Sequence, residues 1–205
     1  AKAERPPHLL VMTATPIPRT LTLTQYGEMD VSRIDEMPPG RTPVETRVIS
    51  DERLGDVIDG LGRHVAAGGQ AYWVCPLVEE SEKSDAAAAE ERAAVLRQRF
   101  PGKVGLVHGR MKGPDKDAVM TSFASGELAV LVATTVIEVG VDVPNATLMI
   151  IEGAERFGLA QLHQLRGRVG RGEGKSTCLL LRGGTLTETG RARLALMRET
   201  SDGFR

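Results

Sequence analysis

The sequence predicts an α/β fold: a mainly parallel sheet with helices on both of its faces. Three observations carry that prediction. Short runs of Val, Leu, Ile and Ala recur along the chain. Amphipathic stretches of helical length separate them, and the apolar runs are near-continuous rather than alternating, as strands buried on both faces must be. At 205 residues, with 41% hydrophobic and 26% charged side chains, the chain can fill one ordinary domain with some extra length.

Taken in order, strands are expected at 8–14, 44–50, 70–78, 104–108, 128–134, 147–152 and 176–181. Helices are expected at 19–26, 53–66, 86–100, 113–125, 159–167 and 188–199. The alanine run at 86–89 followed by Glu-Glu-Arg-Ala-Ala-Val-Leu is a strong helix former rather than a linker. One interruption stands out. Met37-Pro-Pro-Gly-Arg-Thr-Pro43 packs three prolines and a glycine into seven residues, which stops regular structure and favours an extended connector. A single strand and helix precede it, too little to bury a core. The boundary is therefore placed at residue 40, and residues 1–40 are expected to belong to a separate lobe of a larger protein.

Bulk properties exclude several classes. No apolar run approaches the roughly 18–20 residues of a membrane helix, and the start has no signal-peptide character, so a cytoplasmic protein is expected. A net charge of −1 is no footprint of a DNA-coating domain, and 3% aromatics give no base-stacking platform. Cys75 and Cys178 lie far apart in apolar runs without His or Cys partners, which points to buried reduced thiols rather than a zinc site or a disulfide.

Four stretches could carry chemistry. Leu128-Ala-Val-Leu-Val-Ala-Thr-Thr135 delivers Thr134 at a strand's carboxyl end, where open parallel sheets bind ligands. In the loop that follows, Gly140 would allow close backbone approach and Asp142 could accept from a ribose; a plain strand exit with an Asp cap is the competing reading. Gln164-Leu-Arg-Gly-Arg-Val-Gly-Arg171 gathers Arg166, Arg168 and Arg171, with Gly167 and Gly170 between them. Guanidinium forks match phosphate oxygens, although a cationic helix end could also serve the last carbonyls. Thr13-Ala-Thr-Pro-Ile-Pro-Arg19 follows one strand, and Val107-His-Gly-Arg-Met111 ends another; a strand-to-helix turn and a turn histidine are their simplest readings. Lys116 and Asp117 read as a solvated helix face.

Together these stretches resemble the superfamily 2 helicases and translocases. Thr13, Ala14 and Thr15 resemble motif III; Thr134 with Gly140 and Asp142 resembles motif V; Gln164 through Arg171 resembles motif VI. Thr13-Ala-Thr-Pro-Ile-Pro-Arg-Thr20, Val136-Ile-Glu-Val-Gly140 and Gly158-Leu-Ala-Gln-Leu-His-Gln-Leu-Arg-Gly-Arg-Val-Gly-Arg171 are similar to the branch holding the RecG and Mfd families. Ile34-Asp-Glu-Met-Pro-Pro-Gly-Arg-Thr-Pro43, Ala71-Tyr-Trp-Val-Cys-Pro-Leu-Val-Glu-Glu-Ser81 and Val107-His-Gly-Arg-Met111 narrow the likeness to the RecG family, over nearly all of the chain.

The resemblance implies a RecA-like, P-loop-NTPase-type three-layer sandwich. Residues 1–40 would end a first RecA-like lobe, 41–184 would form the second, and 185–205 would begin a helical hairpin that links motor to DNA. The implied function is ATP-driven movement on double-stranded DNA that remodels stalled forks and Holliday junctions in recombination and repair, in the bacterial cytoplasm at the nucleoid. Arg168 and Arg171 would stabilise the transferring phosphoryl group, an effect typically of about 10³–10⁵ in rate. Gly140, Asp142 and Gln164 would face the nucleotide, Thr13, Ala14 and Thr15 would couple hydrolysis to movement, and Thr134, His108, Gly109 and Arg110 would approach DNA. No Gly-x-x-x-x-Gly-Lys-Ser/Thr loop or Asp-Glu-x-His stretch occurs, so Mg2+ ligands and the phosphate cradle are expected in the first lobe and a junction-recognising wedge elsewhere. An Mfd-type coupling factor and a non-catalytic RecA-like module are the alternatives. A Rossmann enzyme fails for want of a Gly-x-Gly-x-x-Gly turn.

Overall fold

The computed structural model describes residues 10, 12, 32, 42–76, 82–134, 143–172 and 174–199. Thr13, Ala14, Thr15, Gly140 and Asp142, the expected helix at 19–26 and most of the expected strand at 8–14 lie outside the described residues.

Six strands form one sheet: β1 (Glu45–Ser50), β2 (Gln70–Val74), β3 (Val104–Val107), β4 (Val130–Ala133), β5 (Ala146–Ile151) and β6 (Thr177–Arg182). Their order is β1-β6-β5-β2-β4-β3, and every ladder is parallel. Among the described residues five α-helices accompany them: α1 (Leu54–Ala66), α2 (Glu82–Arg99), α3 (Gly113–Ala124), α4 (Leu159–Arg166) and α5 (Glu188–Glu199). The expected α/β class with a parallel sheet is what the chain adopts.

Alternation along the strands sorts side chains onto two cores. Ala71, Trp73 and Cys75 of β2 and its exit join Val130, Val132, Leu148 and Ile150 on one face, under Val57 and Leu61 of α1 and Ala89, Ala93 and Leu96 of α2. Tyr72, Val74, Leu131, Met149 and Ile151 point the other way, onto Phe123 of α3, Leu162 and Leu165 of α4, and Leu194 and Met197 of α5. Ala86, Ala89 and Ala93 of α2 recur at helical spacing and are buried, so their small side chains set that helix close against the sheet. β2 is shorter than the apolar run predicts, ending at Val74 rather than at residue 78. Cys75 still donates its amide to Ala133, but Pro76 has no N–H with which to continue the ladder.

Candidate functional site

Parallel strands line up their exits. Along the carboxyl edge, the residues following β5, β2, β4 and β3 are Glu152, Cys75, Thr134 and His108. β3 and β4 pair with Val107 opposite Ala133, which sets His108 beside Thr134. Thr134 donates its amide to Val107 O at 3.3 Å, and its side chain is 1% exposed. His108 Nε2 lies 3.4 Å from Glu90 Oε1 of α2. His108 Nδ1 and Thr134 Oγ1 are both buried with no hydrogen-bond partner among the described residues. Two neighbouring orphaned polar atoms at a strand edge are costly, about 1–3 kcal/mol each, and they fit a place where a polar group from outside completes the bonding. Beyond His108, Gly109 and Arg110 form an exposed turn into α3. Lys116, expected on a solvated helix face, donates Nζ to Gly109 O at 3.4 Å and ties α3 to that turn.

The arginine run sits at the opposite edge. α4 starts behind the exit of β5 and runs back toward the strand beginnings. Arg166 at its end reaches Thr46, the second residue of β1. Gly170 has φ +77°, and a Cβ there would lie 2.7 Å from Val44 Cγ2, just ahead of β1. Gly172 approaches Pro144, just ahead of β5. The expected arginine site and the expected DNA contacts are therefore set at opposite ends of the strands.

The three arginines differ. Arg166 is 7% exposed and points inward, donating Nη1 to Met197 O at 2.6 Å and to Thr46 Oγ1 at 3.4 Å, with Nη2 3.1 Å from His163 Nδ1. Burial lowers its pKa. It serves a carbonyl in the last turn of α5 rather than those of its own helix, and is no phosphate ligand as placed. Arg168 is half-buried, and Arg171 is exposed with Nε donating to Gly167 O at 3.3 Å. Gln164 is exposed on α4. Of the two glycines, only Gly170 is required by its backbone; Gly167 keeps an ordinary helical φ of −65°.

A further cluster escaped the sequence reading. Glu152 Oε2 accepts from Trp73 Nε1 at 2.8 Å and from Arg92 Nε at 2.9 Å, while Arg92 Nη2 donates to Oε1 at 2.6 Å. Arg92 also covers the Trp73 ring, 5.4 Å from its centroid, and the hydrogen bond to Glu152 raises the pKa of Arg92. A lone tryptophan in a fully buried strand needs an acceptor for its N–H, and Glu152 is a carboxylate directly at a strand exit. That was the available signal.

The helicase conserved C-terminal domain family matches residues 52–173. The ATP-dependent DNA helicase RecG of Acidithiobacillus ferridurans is 60% identical over 199 residues, covering 97% of this chain and 29% of that protein. RecG of Escherichia coli O127:H6 is 61% identical over 201 residues, again 97% of this chain and 29% of the relative. A structure of RecG bound to a three-way DNA junction superposes with a TM-score of 0.79 at 47% identity, over 93% of this chain and 25% of that one. The chain thus spans under a third of the length of these relatives.

Proposed function

The chain belongs to the helicase conserved C-terminal domain family, and from that premise we propose that it is the C-terminal motor lobe of a RecG-type, ATP-dependent double-stranded DNA translocase. The observation that carries the reading is its likeness to RecG helicases along 97% of its length, well beyond the 52–173 stretch that defines the family. An Mfd-type coupling factor or a non-catalytic module is not favoured by relatives of that name. The proposed substrate is branched DNA, such as a stalled fork or Holliday junction, because a RecG neighbour of similar fold holds a three-way junction. The proposed setting is the bacterial cytoplasm at the nucleoid; among the described residues no helix is long and apolar enough to cross a membrane.

In this reading ATP lies between the lobe and a first motor lobe in cis. Water attacks the γ-phosphorus, ADP leaves, and Arg168 and Arg171 stabilise the charge spread over the transferring oxygens. Gln164, Gly140 and Asp142 face the nucleotide. Mg2+ would take its protein ligands from the first lobe; among the described residues no group of three or more His, Cys, Asp or Glu side chains could hold it. Thr134, His108, Gly109 and Arg110 form the DNA-facing edge, with the orphaned Thr134 hydroxyl and His108 Nδ1 supporting a polar partner there. Thr13, Ala14 and Thr15 couple the two events. Residues 1–40 complete the first lobe, 41–184 form this one, and 185–205 lead to the hairpin. α5 packs Leu194 and Met197 into the core, so the hairpin would be rooted on the lobe itself.

The test is ATP hydrolysis by the intact enzyme on three-way-junction DNA. Arg168→Ala and Arg171→Ala should each lower kcat by about 10³ or more. Variants that turn over within threefold of the parent would refute the assignment.

A further inference from the structure

Arg166 stands two residues before Arg168 and five before Arg171, yet it is buried where Arg168 is half-buried and Arg171 exposed. It is buried at the meeting point of three elements: its own helix α4 through His163 Nδ1, β1 through Thr46 Oγ1, and the last turn of α5 through Met197 O. The bond to Met197 O, at 2.6 Å, is charge-assisted and lies at the negative end of the α5 dipole. The chain that leaves α4 is held by short turns, from Gly167 N to His163 O, Arg168 N to Leu165 O and Val169 N to Arg166 O. Its next fixed point is Gly170, wedged against Val44. Arg168 is thus carried on a short segment pinned on one side by Arg166 and on the other by Gly170, and Arg171 directly follows that second fixed point.

A buried cation that served only to fill space would be replaceable by an apolar side chain of similar volume. A planar fork that directs donors to three separate elements is not replaceable in that way. We propose that Arg166 is a positioning residue for the phosphoryl-stabilising arginines, fixing the exit of α4 against β1 and α5 so that Arg168 and Arg171 stand where the γ-phosphate reacts. The proposal rests on the nucleotide reading above. Misplacement by about 1 Å at such a site can cost about 100-fold in rate.

The experiment compares Arg166→Met, Arg166→Lys and Arg168→Ala in the intact enzyme, with thermal melting to establish folding. Arg166→Met should lower kcat about 10- to 100-fold while KM for ATP changes less than about threefold. Amide exchange at 167–171 should quicken, while the strands keep their protection. Arg166→Lys should recover part of kcat, since an ammonium still reaches the Met197 carbonyl but not all three elements. A folded Arg166→Met with kcat within twofold of the parent, beside a crippled Arg168→Ala, would show Arg166 to be packing only and overturn the proposal. Should Arg166→Met not fold, Arg166→Lys decides: a folded lysine variant at parental kcat overturns it equally. Parental kcat in Arg168→Ala would remove the nucleotide reading itself, and this proposal with it.

Discussion

Single residues carry more distinct duties here than their types announce. Cys75 and Cys178 are free, buried thiols, as their apolar surroundings foretold, and burial pushes both from an ordinary 9.0 up to about 12. Neither should react with a thiol reagent in the folded state at neutral pH, whereas both should react once the chain is unfolded. The raised values also set a direction for stability. Below pH 9.0 the thiols are protonated in both states; between 9.0 and about 12 only the unfolded thiols ionise, so stability should fall with rising pH across that window. Denaturant unfolding at stepped alkaline pH measures this, and replacing both cysteines with alanine should flatten the slope. Gly170→Ala should destabilise by about 1–3 kcal/mol, since it meets both a left-handed backbone and Val44. The arginine run shows where sequence reading stops at this scale. Its charge and spacing were plain, but which of three guanidinium groups turns inward depends on Met197 and Thr46, distant in sequence and brought near only by folding.

Helices and strands were read well because their cause is local. α5 falls on the expected 188–199, and β1, β3 and β6 fall within a residue of expectation at each end. Period and caps decide such boundaries. What lies between elements was opaque. The Glu152 cluster joins the exit of β5, the interior of β2 and the side of α2 through residues up to 79 apart, and no local pattern encodes it. Glu152→Gln should leave Arg92 half-buried with a weaker acceptor and cost about 1.5–3 kcal/mol of stability, read from the unfolding midpoint. Arg92→Met should destabilise as well, because it leaves the partly buried Glu152 carboxylate without its cation. Losses below about 0.5 kcal/mol in both variants would mean that the cluster contributes little to holding α2 on the sheet.

At the scale of the molecule, the sequence announced a parallel sheet but not its strand order, because buried apolar runs are alike and helical crossovers permit several neighbours. It also gave no hint that the arginine run and the strand exits would lie at opposite edges. If the motor reading holds, this chain by itself should release no phosphate from ATP at a measurable rate, since the complementary phosphate cradle is not encoded in it. Phosphate release by the purified chain that vanishes in Arg168→Ala would sink that expectation.

The ladder between β1 and β6 has one more consequence. These strands are the first and last of the sheet in sequence, and Ser50 pairs with Arg182. On a ribosome adding about 5–20 residues per second, β1 therefore waits roughly ten seconds for β6, its strand neighbour among the described residues, to be made. Until then it is an open template for any other extended chain. The lobe should consequently acquire protease resistance in one late step, as β6 clears the exit tunnel, rather than gradually as its helices form.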